Sequence, residues 1–321
     1  MLPPAILVTG AGGFIGAMLV NALISKGREV VAVDRDQHRL DRISRGLPSD
    51  LLRLAYLDIT DPASIVEVAR QTQPAAIVHL AAMHVIPHCE AQPHVAVNVN
   101  INGLCNVLAA AHQAPVDFVL FASTADVYAP AQRPLAEDDP TSTSSVYGAS
   151  KLLGERLVAE WAARRAGRQA TSVRIFNVYG PGDSNPHVVP DLVEGLRRGG
   201  PVPVGNVDAR RDFIQVEDVV TLLCRILEMP VPPATINAGT GAATSVAEVL
   251  DTLQGLVGRP LPWRRDPARL RTLDRMHLQA DTSRTRTLFP GFTPRSLDVG
   301  LGDLLASIGM CRSDLRRPVS N

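Results

Sequence analysis

Lysine is almost missing from this 321-residue chain: Lys26 and Lys151 are the only two among 32 residues counted as Lys or Arg. With so few available, a lysine inside a motif rarely stands there by chance. Excess charge is missing as well. The basic residues are matched by 32 acidic ones, and no basic stripe or tail offers a footprint for nucleic acid. Cys89, Cys105, Cys224 and Cys311 show no CxxC or metal-ligand spacing, which speaks against a disulfide framework or a zinc site and for a reduced, cytoplasmic chain. MLPPAILVTG has no charged leader region and runs straight into a strand, so it does not read as a signal peptide. No apolar run approaches the roughly 20 residues of a membrane helix.

What is present is ordinary globular composition, 45% hydrophobic and 20% charged, in a chain long enough for one large α/β unit or two domains. Short apolar runs recur at residues 5–9, 29–34, 51–57, 75–81, 117–122 and 171–176. Between most of them lie helical periodicities, including one over 93–113 and a long one from about Val146 to Ala166. Alternating strands and helices with continuously apolar strands predict a parallel sheet covered on both faces. After Asn177 the texture changes: VYGPGDSNPHVVP reads as a long functional loop, followed by helices in DLVEGLRRG, VEDVVTLLCRIL and SVAEVLDTLQGLVG. The expected division is a first domain over 1–172 plus about 212–240, interleaved with a smaller second one over 173–211 and 241–321.

Four motifs carry chemistry. ILVTGAGGFIG spaces Gly10, Gly13 and Gly16 three apart between a strand and a helix. Glycine there lets backbone N–H groups approach a pyrophosphate at the helix N-terminus. Asp34 ends the second strand where an acid receives the adenosine ribose hydroxyls and repels a 2′-phosphate, favouring NAD over NADP; the adjacent Arg35 pulls the other way. Asp58 ends the third strand, where the adenine could be met. SVYGASK places Tyr147 and Lys151 four apart on one helix face. A free phenol titrates near 10 and is a poor base at neutral pH; a neighbouring ammonium, together with the positive nicotinamide ring, stabilises the phenolate and lowers that pKa. The strand end FASTADVYAP carries Ser123, Thr124 and Asp126.

Together with HLAA at 79–82 and RIFNVYGPG at 174–182, these motifs make the chain similar to the extended short-chain dehydrogenases/reductases of the nucleotide-sugar epimerase/dehydratase family. The resemblance spans about residues 5 to 290. It implies a Rossmann-type doubly wound parallel sheet with a smaller mixed α/β C-terminal substrate domain, and bound NAD. On that resemblance Gly10, Gly13, Phe14, Ile15, Gly16, Asp34, Arg35, Asp58, Ile59, Leu80, Ala81, Ala82, His84, Asn100, Tyr147, Lys151 and Phe176 line the cofactor. Thr124 and Tyr147 handle the sugar 4-hydroxyl, with Tyr147 as base and Lys151 holding the nicotinamide ribose. Asn177, Arg211 and Arg271 meet the diphosphate; His88, Val188 and Val204 complete the substrate side. The resemblance also implies a nucleotide-diphosphate sugar, most readily a UDP-sugar, as substrate, and a homodimer pairing the Tyr147 helix with the 93–113 helix.

Departures from the family pattern leave the reaction open. Val204 stands where an aromatic often stacks on the base, His84 where many 4-epimerases carry lysine, Ala129 where glycine is usual, and Leu273 where the RxGD motif has glycine. His84 and His88, with Pro87 between them, do not make a metal site. Dehydratases of the family usually carry Thr-Asp-Glu or Thr-Ser-Glu at the strand end, whereas this chain reads Thr124-Ala125-Asp126. A 4-epimerase working through a transient 4-keto sugar is the first expectation. A 4,6-dehydratase or UDP-glucuronate decarboxylase using Asp126 near C5 is the alternative, and a non-catalytic dinucleotide sensor a remote one.

Overall fold

The computed structural model describes residues 5–269 and 275–310. In chain order the first half runs β1 (Ile6–Thr9), α1 (Phe14–Ser25), β2 (Val30–Asp34), α2 (Gln37–Ser44), β3 (Leu52–Tyr56), α3 (Pro62–Thr72), β4 (Ala76–His79) and α4 (Ile86–Ala91). Next come α5 (Pro93–Val97), α6 (Gly103–His112), β5 (Phe118–Thr124), α7 (Val146–Ala163) and β6 (Gln169–Ile175). The remainder is β7 (Asn177–Tyr179), α8 (Val188–Arg198), β8 (Val202–Val204), β9 (Arg210–Gln215), α9 (Val216–Leu227), β10 (Thr235–Ala238) and β11 (Ala243–Ser245). It ends with α10 (Val246–Val257), β12 (Trp263–Arg265), β13 (His277–Leu278), α11 (Ser283–Leu288) and α12 (Leu297–Ser307).

These elements form two units. The first comprises Met1–Ala129, Asp139–Ile175 and Val220–Ile236; the second comprises Pro130–Asp138, Phe176–Val219 and Asn237–Asn321. The large sheet has the order β10-β6-β5-β4-β1-β2-β3, the Rossmann-type order that the family resemblance implies. Strands β1 to β6 are parallel. Their carboxyl ends, Thr9, Asp34, His79 and Thr124, therefore come to one edge. The order reverses beside β1, and ligands of open α/β sheets bind outside that crevice. One face of the sheet buries Leu7, Val31, Ile77, Val119 and Phe121 against Ile65, Leu104, Val107 and Trp161. Each such side chain contributes about 1.5–3 kcal/mol.

Two helices differ from the sequence reading. The single helix expected over 93–113 is interrupted by a π turn at Asn98–Asn102, which separates α5 from α6. The helix expected to reach Ala166 stops at Ala163, and Gly167, at φ 88°, helps turn the chain into β6. The segment read as one loop contributes its start to β7 and its end to α8. In the second unit β9 is the hub: β11 and β13 pair with its first residues and β7 with its last. Its core packs Leu192 of α8, Val249 and Leu253 of α10 and Leu301 of α12. A capping box between Ser245 and Glu248 opens α10.

Candidate active site

The turn after β1 is held by glycine for two separate reasons. Gly10 adopts φ 70°, and a side chain there would sit 2.7 Å from the Ala81 backbone nitrogen. Gly16 lies so close to the carbonyl of Gly10 that any Cβ would collide with it. Helix α1 begins at Phe14 with Gly13 as its N-cap and no side chain capping the first turn. The N–H groups around Phe14, Ile15 and Gly16 thus present a positive helix end at the sheet edge. Asp34 borders the same turn and accepts hydrogen bonds from the Gly12 and Asp36 N–H groups at 2.9 and 3.0 Å.

Arg35 leans toward Asp58 at 3.7 Å, and Asp58 also accepts from Thr60. Ile59 is buried beneath Gly103. Leu80 continues β4 by donating to the Thr9 carbonyl, Ala81 abuts Gly10, Ala82 is half-buried, and His84 is exposed. Asn100, in the π turn, exchanges hydrogen bonds with both backbone groups of Met83 and donates to Ser150 Oγ at 2.9 Å. Ser150 in turn donates to the Tyr147 carbonyl. Asn100 is therefore spent on bracing the β4 loop against α7. The π turn is what separates α5 from α6 at this position.

Beside this cradle, β5 and α7 bring Thr124, Asp126, Tyr147 and Lys151 together. Ser145 caps α7 by accepting from the Gly148 N–H at 2.9 Å. The two hydroxyls ending β5 part company: Ser123 donates to Glu155, whereas Thr124 is hydrogen-bonded to the Tyr147 phenol. Thr124 also accepts from the Asp126 N–H at 3.2 Å and so caps the short 3-10 turn Ala125–Val127. Lys151 is 3% exposed, donates to the Ala122 carbonyl at 2.7 Å, and stands 4.8 Å from the Phe121 ring and 6.0 Å from the Tyr147 ring.

Burial opposes charge on both members of the Tyr147–Lys151 pair. It pushes the phenol well above its ordinary 10, the Asp126 carboxylate adds to this, and the Thr124 hydrogen bond works against it. Burial pulls Lys151 down from 10.5 to about 7. By itself the chain therefore favours a neutral phenol, and Tyr147 becomes a base only with help from outside the chain, such as the positive nicotinamide ring of a bound cofactor. His79, behind the pair, is held neutral, with a pKa lowered to about 3 by burial and then by Lys151; its Nδ1 lies 2.8 Å from Thr9 Oγ1.

The remaining predicted residues are divided between the two units. His88 is exposed on α4 of the first unit. Phe176, Asn177, Val188, Val204 and Arg211 all belong to the second unit. There Phe176 and Val204 are buried, Asn177 opens β7, Val188 opens α8, and Arg211 donates to the Arg210 carbonyl. Strands β7 and β9 are hydrogen-bonded neighbours, so Asn177 and Arg211 sit on adjacent strands. Arg271 lies outside the described residues. Among the described residues no group of three or more His, Cys, Asp or Glu could hold a metal ion, and no helix is long and apolar enough to cross a membrane.

Residues 6–239 match the model of the NAD dependent epimerase/dehydratase family. The chain belongs to that family. A UDP-glucose 4-epimerase of Mycolicibacterium smegmatis is 32% identical over 297 residues, spanning 90% of this chain and 93% of the relative. Among solved structures, MoeE5 in complex with UDP-glucuronic acid and NAD aligns at a TM-score of 0.80 and 32% identity, over 98% of this chain and 99% of that one. TunA, an NAD dependent NDP-hexosamine 5,6-dehydratase, aligns at 0.81 and 29%, over 95% and 97%. Nucleotide-sugar epimerase or dehydratase chemistry with NAD is thus the activity of this family. The glycine cradle, the uncapped start of α1 and Asp34 fit the pyrophosphate and adenosine ribose of that cofactor.

Sequence reasoning missed the polar pillar behind the site. Arg174 of β6 forms a paired contact with Glu155 of α7 at 2.7 and 2.9 Å, stacks 4.6 Å from the Tyr128 ring, and shares Glu155 with Ser123. The signal was available: Arg174 stands in a strand predicted to be wholly buried, where a charge needs a partner. Glu155, four residues beyond Lys151, was the nearest acid on α7.

Proposed function

We propose that this protein is an NAD-dependent nucleotide-sugar 4-epimerase that works through a transient 4-keto sugar. The observation that carries the reading is the Thr124–Tyr147 hydrogen bond within reach of Lys151, at the carboxyl edge of the sheet beside the glycine cradle. Bound NAD supplies the hydride acceptor and donor at sugar C4. Thr124 orients the 4-hydroxyl, and Tyr147 removes its proton on oxidation and returns it after the keto sugar turns over. Lys151 holds the nicotinamide ribose and offsets the burial that keeps Tyr147 neutral. Asn177 and Arg211 grip the diphosphate, Arg211 through the planar fork that suits phosphate. The likeness to UDP-sugar enzymes supports a UDP-sugar substrate. The apolar Val97 and Leu153, each nearly half exposed on α5 and α7, support a homodimer built on those helices.

Tyr147→Phe tests the assignment. Turnover should fall by at least about a thousandfold with NAD still bound, as removal of a positioned acid–base group does. Retained turnover sinks it. Substrate and reaction class are read from a panel of UDP-, dTDP- and GDP-sugars that includes UDP-glucuronate: unchanged mass means epimerisation, loss of water dehydration, and loss of CO2 decarboxylation. A second reading is favoured by one feature, the Asp126 carboxylate close enough to perturb Tyr147. On that reading Asp126 removes the C5 proton made acidic by the 4-ketone.

A further inference from the structure

Helix α7 has a second cap that comes from outside its own chain segment. The Val146 N–H, immediately before Tyr147, donates to Glu90 Oε1 at 2.7 Å, while the Ser145 hydroxyl accepts from the Gly148 N–H. Glu90 belongs to α4, the short helix that also carries His88. Cys89, its neighbour, is fully buried, points its thiol at the Met83 carbonyl at 3.4 Å, and is close enough to influence both Tyr147 and Lys151. Met83 is in turn held by Asn100, which reaches Ser150 and through it the Tyr147 carbonyl. The loop after β4 is therefore tied to α7 at two points that bracket Tyr147. One tie is the buried Asn100–Ser150 link, and the other is the exposed Glu90–Val146 link.

We propose that Glu90 is a positioning residue: by capping α7 from α4 it fixes the first turn that aims the Tyr147 hydroxyl at Thr124 and the sugar. An acid suits this end of a helix twice over, because it accepts an otherwise unpaired N–H and lies against the positive end of the helix dipole. The inference rests on the reading of Tyr147 as the base. Tyr147 stands in the first turn of α7, so its aim depends on whether that turn is formed. Glu90 itself is exposed, so replacing it leaves the apolar core intact.

The test compares Glu90→Ala, which removes the acceptor, with Glu90→Gln, whose amide oxygen can still accept. In the NAD-bound protein, amide hydrogen exchange over residues 146–149 should quicken at least about fivefold in Glu90→Ala and stay near wild type in Glu90→Gln. With the sugar nucleotide that the wild type turns over, kcat should fall about tenfold in Glu90→Ala with KM within twofold. That is modest beside the roughly hundredfold cost of a 1 Å misplacement. Glu90→Gln should restore kcat. Unchanged exchange in Glu90→Ala, a kcat within twofold of wild type, a loss confined to KM, or no rescue by Gln each overturns the proposal. Failure of the base assignment shows separately, as turnover surviving in Tyr147→Phe.

Discussion

Replacing Lys151 by Met should separate activity from stability in opposite directions. The ammonium is buried and falls from its ordinary 10.5 to about 7. At about 1.4 kcal/mol for each tenfold change in proton affinity, keeping it charged in the fold costs on the order of 4–5 kcal/mol. Its hydrogen bond to the Ala122 carbonyl returns about 1.5–3 kcal/mol. Methionine, of similar shape, should therefore stabilise the cofactor-free protein by roughly 1–3 kcal/mol near pH 7 while abolishing turnover. The pH dependence fixes the cause. Between pH 7 and 10.5 the unfolded chain holds a proton on Lys151 that the folded chain does not, so wild-type stability rises with pH. The advantage of Lys151→Met should be full below about pH 7, shrink through that window, and be gone or reversed above it. Urea unfolding of both proteins, freed of cofactor, at pH 6.5, 8.5 and 10 measures this. A destabilised variant at pH 6.5, or an advantage independent of pH, would refute the reasoning.

Two further outcomes follow from contacts outside the Tyr147–Lys151 pair. Asp34→Ser replaces the two carboxylate oxygens that accept from the Gly12 and Asp36 N–H groups with one shorter, neutral hydroxyl and removes the charge that repels a 2′-phosphate; NAD should bind at least about tenfold more weakly and the preference over NADP should narrow, read by fluorescence titration with each dinucleotide. Glu155→Ala removes the carboxylate that pairs the buried Arg174 guanidinium, whose side chain is 7% exposed; unfolding should ease by about 3–5 kcal/mol, measured by urea denaturation.

The fold was legible because its signals are local and repeated. Short continuously apolar runs and period-3.6 hydrophobic patterns alternate down the first half, and glycine spacing marks the turn after β1. The same patterns could not show the π turn at Asn98–Asn102: its apolar spacing still reads as helix, and the break turns on how Asn100 is bonded. The Thr124, Tyr147 and Lys151 grouping was readable from motif and offset. Their electrostatics were not, because desolvation depends on everything packed around a group. Lys151 looked like an aid to the phenolate, yet burial works against both charges. Glu155, Arg174 and Glu90 went unread because each one's partner lies far away along the chain or on another element.

Asp126 marks the division between the two reactions, and one substitution gives opposite signs for them. Its charge disfavours the Tyr147 phenolate, so for an epimerase the carboxylate is a burden on the base. Asp126→Asn should then lower the phenol's pKa, move the acid limb of the kcat–pH profile to lower pH, and raise kcat on that limb. If Asp126 instead takes the C5 proton, the same variant loses a general base, and kcat should drop by about 100- to 10,000-fold at every pH. Solvent deuterium at C5 of the product separates the cases independently: the wild-type epimerase incorporates none, whereas a C5-active enzyme incorporates it and its Asp126→Asn variant stops doing so. A drop in kcat together with wild-type deuterium incorporation at C5 would overturn the epimerase reading; a faster acid limb with no incorporation would overturn the other.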